Sequence, residues 1–135
     1  MKTIQVEELE QLSADEIQVI DLRPEEEYKR GSFPGAVNLP MEEFDSRYEE
    51  VLEKEKPIYF ICHTGERSKD YIETATKAGY NAFNVEGGYR AYLRLSLSRF
   101  LEEDTKESKE ERQRKLREAL LRNFGNPSGV RLQKL

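Results

Sequence analysis

One five-residue run, Pro57–Ile61 (PIYFI), does most to restrict how this chain can fold. It is aromatic and β-branched, carries no charge, and predicts a strand buried on both faces. It leads without a linker into Cys62-His63-Thr64-Gly65-Glu66-Arg67-Ser68. A helical pattern over Arg67–Ala78 follows, with Gly79 as its C-terminal stop. A strand that turns straight into a helix belongs to a sheet whose next strand runs parallel, because the helix carries the chain back across it. The flanking sequence repeats this alternation. Strands are expected at Thr3–Val6, Gln18–Leu22, Ala36–Leu39 and Asn81–Val85. Helices are expected at Glu7–Leu12, at Glu25–Lys29 between Pro24 and Gly31, at Met41–Leu52, and at Tyr89–Leu93 after Gly87-Gly88. The expected class is α/β, a largely parallel central sheet of about five strands with helices on both faces.

Charge divides the chain in two. Residues 1–95 hold 12 Lys+Arg against 20 Asp+Glu, and residues 96–135 hold 10 against 7. Glu102–Arg117 is polar apart from Leu116, so it reads as a solvated helix or linker. A compact domain over 1–95 and a charged, mainly helical extension over 96–135 are expected. Within the extension, Glu110–Phe124 reads as a basic helix with Leu116, Leu120 and Phe124 on one face, ended by Gly125-Asn126-Pro127-Ser128-Gly129. That helix suits packing on the acidic domain, of this chain or of a second copy, or docking of a partner. The heptapeptide Asn123–Gly129 resembles a loop of cysteine desulfurases over those seven residues alone.

Composition removes several function classes. One cysteine and one histidine exclude a disulfide framework, a multi-cysteine zinc site and paired-histidine metal motifs. A formal charge of −5 argues against nucleic acid as the partner. No apolar run reaches the ~20 residues of a membrane span, and no secretory signal is visible. A cytoplasmic protein without metal or cofactor is expected.

In parallel sheets the working site lies beyond the carboxyl ends of the strands. Cys62 stands there, and is expected to be exposed. Unpaired N–H groups of the loop and helix start favour a thiolate, and Arg67 adds a full positive charge. Gly65 supplies the φ freedom a tight loop needs. A lone cysteine at a strand end also reads as a small buried hydrophobe. The Gly, Arg and helix that follow favour a nucleophile.

Three ordered motifs resemble one family. Asp21, Arg23, Glu27, Tyr28, Gly31, Pro34, Gly35, Ala36, Asn38 and Pro40 match the first signature of rhodanese-like domains. Cys62-x-x-x-x-Arg67-Ser68 resembles the family's six-residue active loop, and Glu86-Gly87-Gly88-Tyr89 its closing Gly-Gly-aromatic element. Ser32 replaces the usual His, and Tyr89 stands where Trp is common. The resemblance covers roughly residues 3–94 and implies the family's three-layer fold.

It also implies sulfur transfer. A donor such as thiosulfate or a protein persulfide passes its sulfane sulfur to Cys62, and a thiol or cyanide acceptor removes it. Cys62 is then the nucleophile. The amides of His63, Thr64, Gly65, Glu66 and Arg67 surround the persulfide, with Ser68 completing the loop. Arg67 closes the loop and orients an anionic donor. Asp21 supports the loop and Arg23 helps bind an anion, unless the two form a scaffold ion pair. His63 is adjacent to the nucleophile and a less natural base. Glu66 at the mouth disfavours dianions. A non-catalytic persulfide carrier or interaction module is the alternative. A related phosphatase or arsenate reductase needs five residues between Cys and Arg, where this chain has four.

Overall fold

The computed structural model describes residues 1–104 and 109–123. The chain divides into two compact units, Met1–Ser96 and Leu97–Leu135. In order the elements are β1 (Thr3–Ile4), α1 (Val6–Leu9), β2 (Gln18–Asp21), α2 (Glu25–Arg30) and β3 (Val37–Asn38). A 3-10 turn (Met41–Glu43) and α3 (Phe44–Val51) follow, then β4 (Ile58–Ile61), α4 (Lys69–Lys77), β5 (Ala82–Val85), α5 (Gly88–Asp104) and α6 (Lys109–Asn123). The sheet order is β1-β5-β4-β2-β3, and every pairing is parallel. The α/β class and the parallel five-stranded sheet are as expected.

β4 is the central strand, and all four of its residues are buried. Alternate side chains leave a strand on opposite faces. Ile58 and Phe60 join Ile20, Leu22, Phe44, Ile72 and Ala75, so α3 and α4 cover that face. Tyr59 and Ile61 join Val6, Leu9, Val19, Phe33 and Val85 on the other, against α1 and residues 89–95 of α5. The three layers follow from that division. Burial raises the pKa of the Tyr59 hydroxyl, because its charged form is poorly solvated there.

Several boundaries differ from the sequence expectation. The edge strands β1 and β3 pair on one side only and shorten to two residues each. The helix expected over Met41–Leu52 begins with a 3-10 turn, where the Glu43 N–H donates to the Pro40 carbonyl at 2.9 Å. The helix expected at Tyr89–Leu93 runs on to Asp104, because no Gly or Pro interrupts it. Helix α6 carries Leu116 and Leu120 exposed at 62% and 44%. Phe124, the turn Gly125–Gly129 and most of the heptapeptide noted above lie outside the described residues. No helix among the described residues is long and apolar enough to cross a membrane.

The layered core makes a quantitative contrast. Phe60 is fully buried at the sheet centre, so Phe60→Ala is expected to lower unfolding free energy by about 3–5 kcal/mol. Leu116→Ala, at an exposed position, is expected to change it by less than about 0.5 kcal/mol. Urea unfolding curves of the two variants check this.

Candidate active site

The loop after β4 begins where two adjacent strands end. Asp21 and Ile61 are register partners, and the Leu22 N–H donates to the Ile61 carbonyl at 2.8 Å. Cys62 therefore leaves the sheet beside the Asp21–Arg23 turn. It does not project into solvent as expected: it is 1% exposed. The reason is the return of the chain at Gly87-Gly88. The Tyr89 N–H donates to the Cys62 carbonyl at 2.8 Å, and the Arg90 N–H to the His63 carbonyl at 3.1 Å. The start of α5 is thus laid over the loop.

That approach requires glycine. A Cβ on Gly88 would overlap the Cys62 carbonyl oxygen and come within 2.9 Å of both the Gly65 nitrogen and the His63 carbonyl oxygen. A Cβ on Gly65 would lie 2.9 Å from the Gly87 nitrogen. Both glycines also take positive φ, +58° and +85°. The Gly-Gly pair, read in the sequence as a helix opening, is equally the contact surface that covers the loop.

The buried sulfur is not in an apolar setting. The Gly65 N–H donates to Cys62 Sγ at 3.0 Å, and Sγ lies 3.4 Å from Ser68 Oγ as donor to it. Ser68 donates to Asn84 Oδ1 at 2.7 Å, and Asn84 Nδ2 donates to the Gly65 carbonyl at 3.0 Å. Ser68 at the start of α4 touches the sulfur, whereas the first amides of α5 are committed to the carbonyls of Cys62 and His63. Of the five loop amides expected around the sulfur, Gly65's is the one that reaches Sγ among the described residues.

The other expected site residues fall into two groups. His63, Glu66 and Arg67 are exposed at the loop rim, and Thr64 is half-buried. Arg67 makes no hydrogen bond to the loop among the described residues; Ser68 and Asn84 tie it together instead. The Glu66 carboxylate pairs with Lys69 Nζ at 3.0 Å, which offsets its charge at the mouth. That hydrogen bond, then the Glu66 charge, raises the pKa of Lys69.

Asp21 and Arg23 form the second group, below the loop. Arg23 Nε and Nη2 grip both Asp21 oxygens at 2.7–3.1 Å, in a pair only 5% and 0% exposed. Arg23 Nη2 also donates to the Gly31 carbonyl, and Ser32 donates to Asp21 Oδ2 at 2.9 Å. Asn38 Nδ2 donates to the carbonyls of Asp21 and Arg23. The guanidinium lies 3.9 Å from the Tyr89 ring centre. Since the Tyr89 amide holds the Cys62 carbonyl, this network steadies the loop through α5.

Asn84 was not among the residues singled out in the sequence. It sits in β5 opposite Phe60 of β4, and reaches residue 65 through sheet register alone. An asparagine in a buried strand, where strand propensity disfavours it, was the available signal.

Comparison with known proteins bears on the fold that carries this loop. The Rhodanese-like domain family matches residues 5–95. A putative sulfurtransferase of Bacillus subtilis, YtwF, is 37% identical over 84 residues, covering 62% of this chain and 81% of its own. The human thiosulfate:glutathione sulfurtransferase is 31% identical over 106 residues, covering 67% of this chain and 92% of its own. The structure of a rhodanese-related protein from Thermoplasma volcanium superposes with a TM-score of 0.64 at 28% identity, covering 70% and 92% of the two chains.

The glycine contact makes the loop vulnerable at one atom. Gly88→Ala is expected to cost roughly 1–3 kcal/mol of stability through its positive φ. It is also expected to shift the amide resonances of residues 62–65, which a ¹⁵N-correlated spectrum reads directly.

Proposed function

The chain belongs to the Rhodanese-like domain family, and on that premise we propose that it transfers a sulfane sulfur through a persulfide on Cys62. The observation that carries this reading is the polar enclosure of Cys62 Sγ, with the Gly65 amide donating to it at 3.0 Å and the Ser68 hydroxyl oxygen 3.4 Å away. The same groups suit the terminal sulfur of Cys62-S-S⁻, which carries negative charge after transfer.

The cycle balances without an external oxidant or reductant. Cys62 thiolate attacks the sulfane sulfur of thiosulfate or a persulfide. A new S–S bond forms, and the donor's S–S bond breaks with its electron pair leaving on sulfite or on a thiolate. An acceptor thiolate then attacks the outer sulfur. The Cys62 S–S bond breaks, its electrons return to Cys62, and the acceptor leaves as a persulfide. Splitting one transfer in two is the benefit of covalent catalysis. Thiosulfate as donor and a low-molecular-weight thiol as acceptor are supported by the human relative's name.

On this reading Arg67 is free to meet an anionic donor, being exposed at the rim. Thr64 and His63 line the approach. Asp21 and Arg23 act as support rather than as a base or an anion site, because their charges are directed at each other. Residues 1–95 hold the residues assigned to the chemistry. A reducing cytoplasm suits a single catalytic thiol.

Turnover of thiosulfate with glutathione or cyanide tests the proposal. Cys62→Ala is expected to abolish it while leaving the fold intact. Arg67→Ala is expected to lower kcat/KM for thiosulfate about tenfold, the worth of one charge-assisted hydrogen bond. A Cys62→Ala protein that still turns over would remove Cys62 from the reaction.

A further inference from the structure

Ser68 occupies the N-cap of α4 yet makes no capping bond, although serine is among the residues best suited to that role. Its hydroxyl is committed elsewhere. The Gly65 N–H donates to Cys62 Sγ, the Cys62 thiol to Ser68 Oγ, Ser68 to Asn84 Oδ1, and Asn84 Nδ2 back to the Gly65 carbonyl. The four links form a closed ring. Cys62, Ser68 and Asn84 are each exposed by 1% or less, so water does not compete for these groups.

The ring has a direction. Asn84 cannot turn its amide over, since that would set Oδ1 against the Gly65 carbonyl oxygen. Oδ1 therefore always requires the single Ser68 hydroxyl proton. With Cys62 protonated, each of the four links has one donor and one acceptor. Once the thiol proton has passed to solvent, one hydroxyl proton faces two acceptors, Sγ and Oδ1. Either the sulfur goes without the hydroxyl or a buried carbonyl goes without a donor.

We propose that Asn84 is a positioning residue that holds the Ser68 hydroxyl proton away from Cys62 Sγ and so tempers the reactivity of the sulfur. The Gly65 amide donates to the sulfur, and Asn84 withholds a second donor from it through Ser68. Asn84 also anchors the Gly65 carbonyl, which keeps that peptide in place as sulfur enters and leaves. This inference rests on Cys62 being the nucleophile.

Alkylation of Cys62 by iodoacetamide at neutral pH tests it and needs neither sulfur donor nor acceptor. A chain that failed as a sulfurtransferase would still report on Asn84. Asn84→Ala releases the hydroxyl proton to the sulfur, and alkylation is expected to quicken about two- to tenfold, with ultraviolet thiolate absorbance rising alongside. The gain is expected to vanish in a Ser68→Ala background, where no hydroxyl remains to be redirected. A purely structural role would act in both backgrounds. Equal effects in the two, or no gain in the single variant, would overturn the proposal. Asn84→Thr, which suits a strand and ends one atom short of Ser68, is read through the same cycle in case the alanine variant does not fold.

Discussion

Two main-chain hydrogen bonds hold the site together, from the Tyr89 and Arg90 amides to the carbonyls of Cys62 and His63. They lay the start of α5 across the loop that follows β4. Each is worth only about 1 kcal/mol net, but a buried carbonyl left without its donor costs about 1–3 kcal/mol. The contact exists only because Gly65 and Gly88 carry no side chain where the two backbones meet. Burial of Cys62 follows from that approach.

Support comes from below through Tyr89. Its ring stacks on the Arg23 guanidinium, and Arg23 is locked to Asp21 in a buried pair that Ser32 and the Gly31 carbonyl complete. Such a pair contributes little net stability when intact, yet removing one partner typically costs about 3–5 kcal/mol. Its value here lies in geometry: it fixes the ring whose amide positions the Cys62 carbonyl. The mouth is organised separately. There Glu66 pairs with Lys69, and Arg67 stands exposed.

The parts of this arrangement legible in the sequence were the local ones. The Pro57–Ile61 run specified β4, and the abrupt passage from strand to Cys62 and helix placed the loop at the sheet's carboxyl edge. The parts that escaped depend on distant residues. Burial of Cys62 comes from a helix start some twenty-five residues on in the chain, which no local pattern around position 62 encodes. Asn84 meets Gly65 and Ser68 because β5 pairs with β4 in a register that aligns Asn84 with Phe60. The length of α5 was missed because its apolar periodicity fades before any helix-breaking residue appears. The family resemblance gives loop closure to Arg67; in the fold, the uncharged Ser68 and Asn84 make the hydrogen bonds that tie the loop together.

On the proposed function, the polar enclosure of Cys62 Sγ by Gly65 and Ser68 is where another sulfur rests. Intact-protein mass spectrometry after incubation with thiosulfate or a low-molecular-weight persulfide addresses it most directly. The expected spectrum gains the mass of one sulfur atom, located on Cys62 and lost on adding excess thiol. A mass unchanged by either donor, or an added sulfur that excess thiol fails to remove, would contradict it.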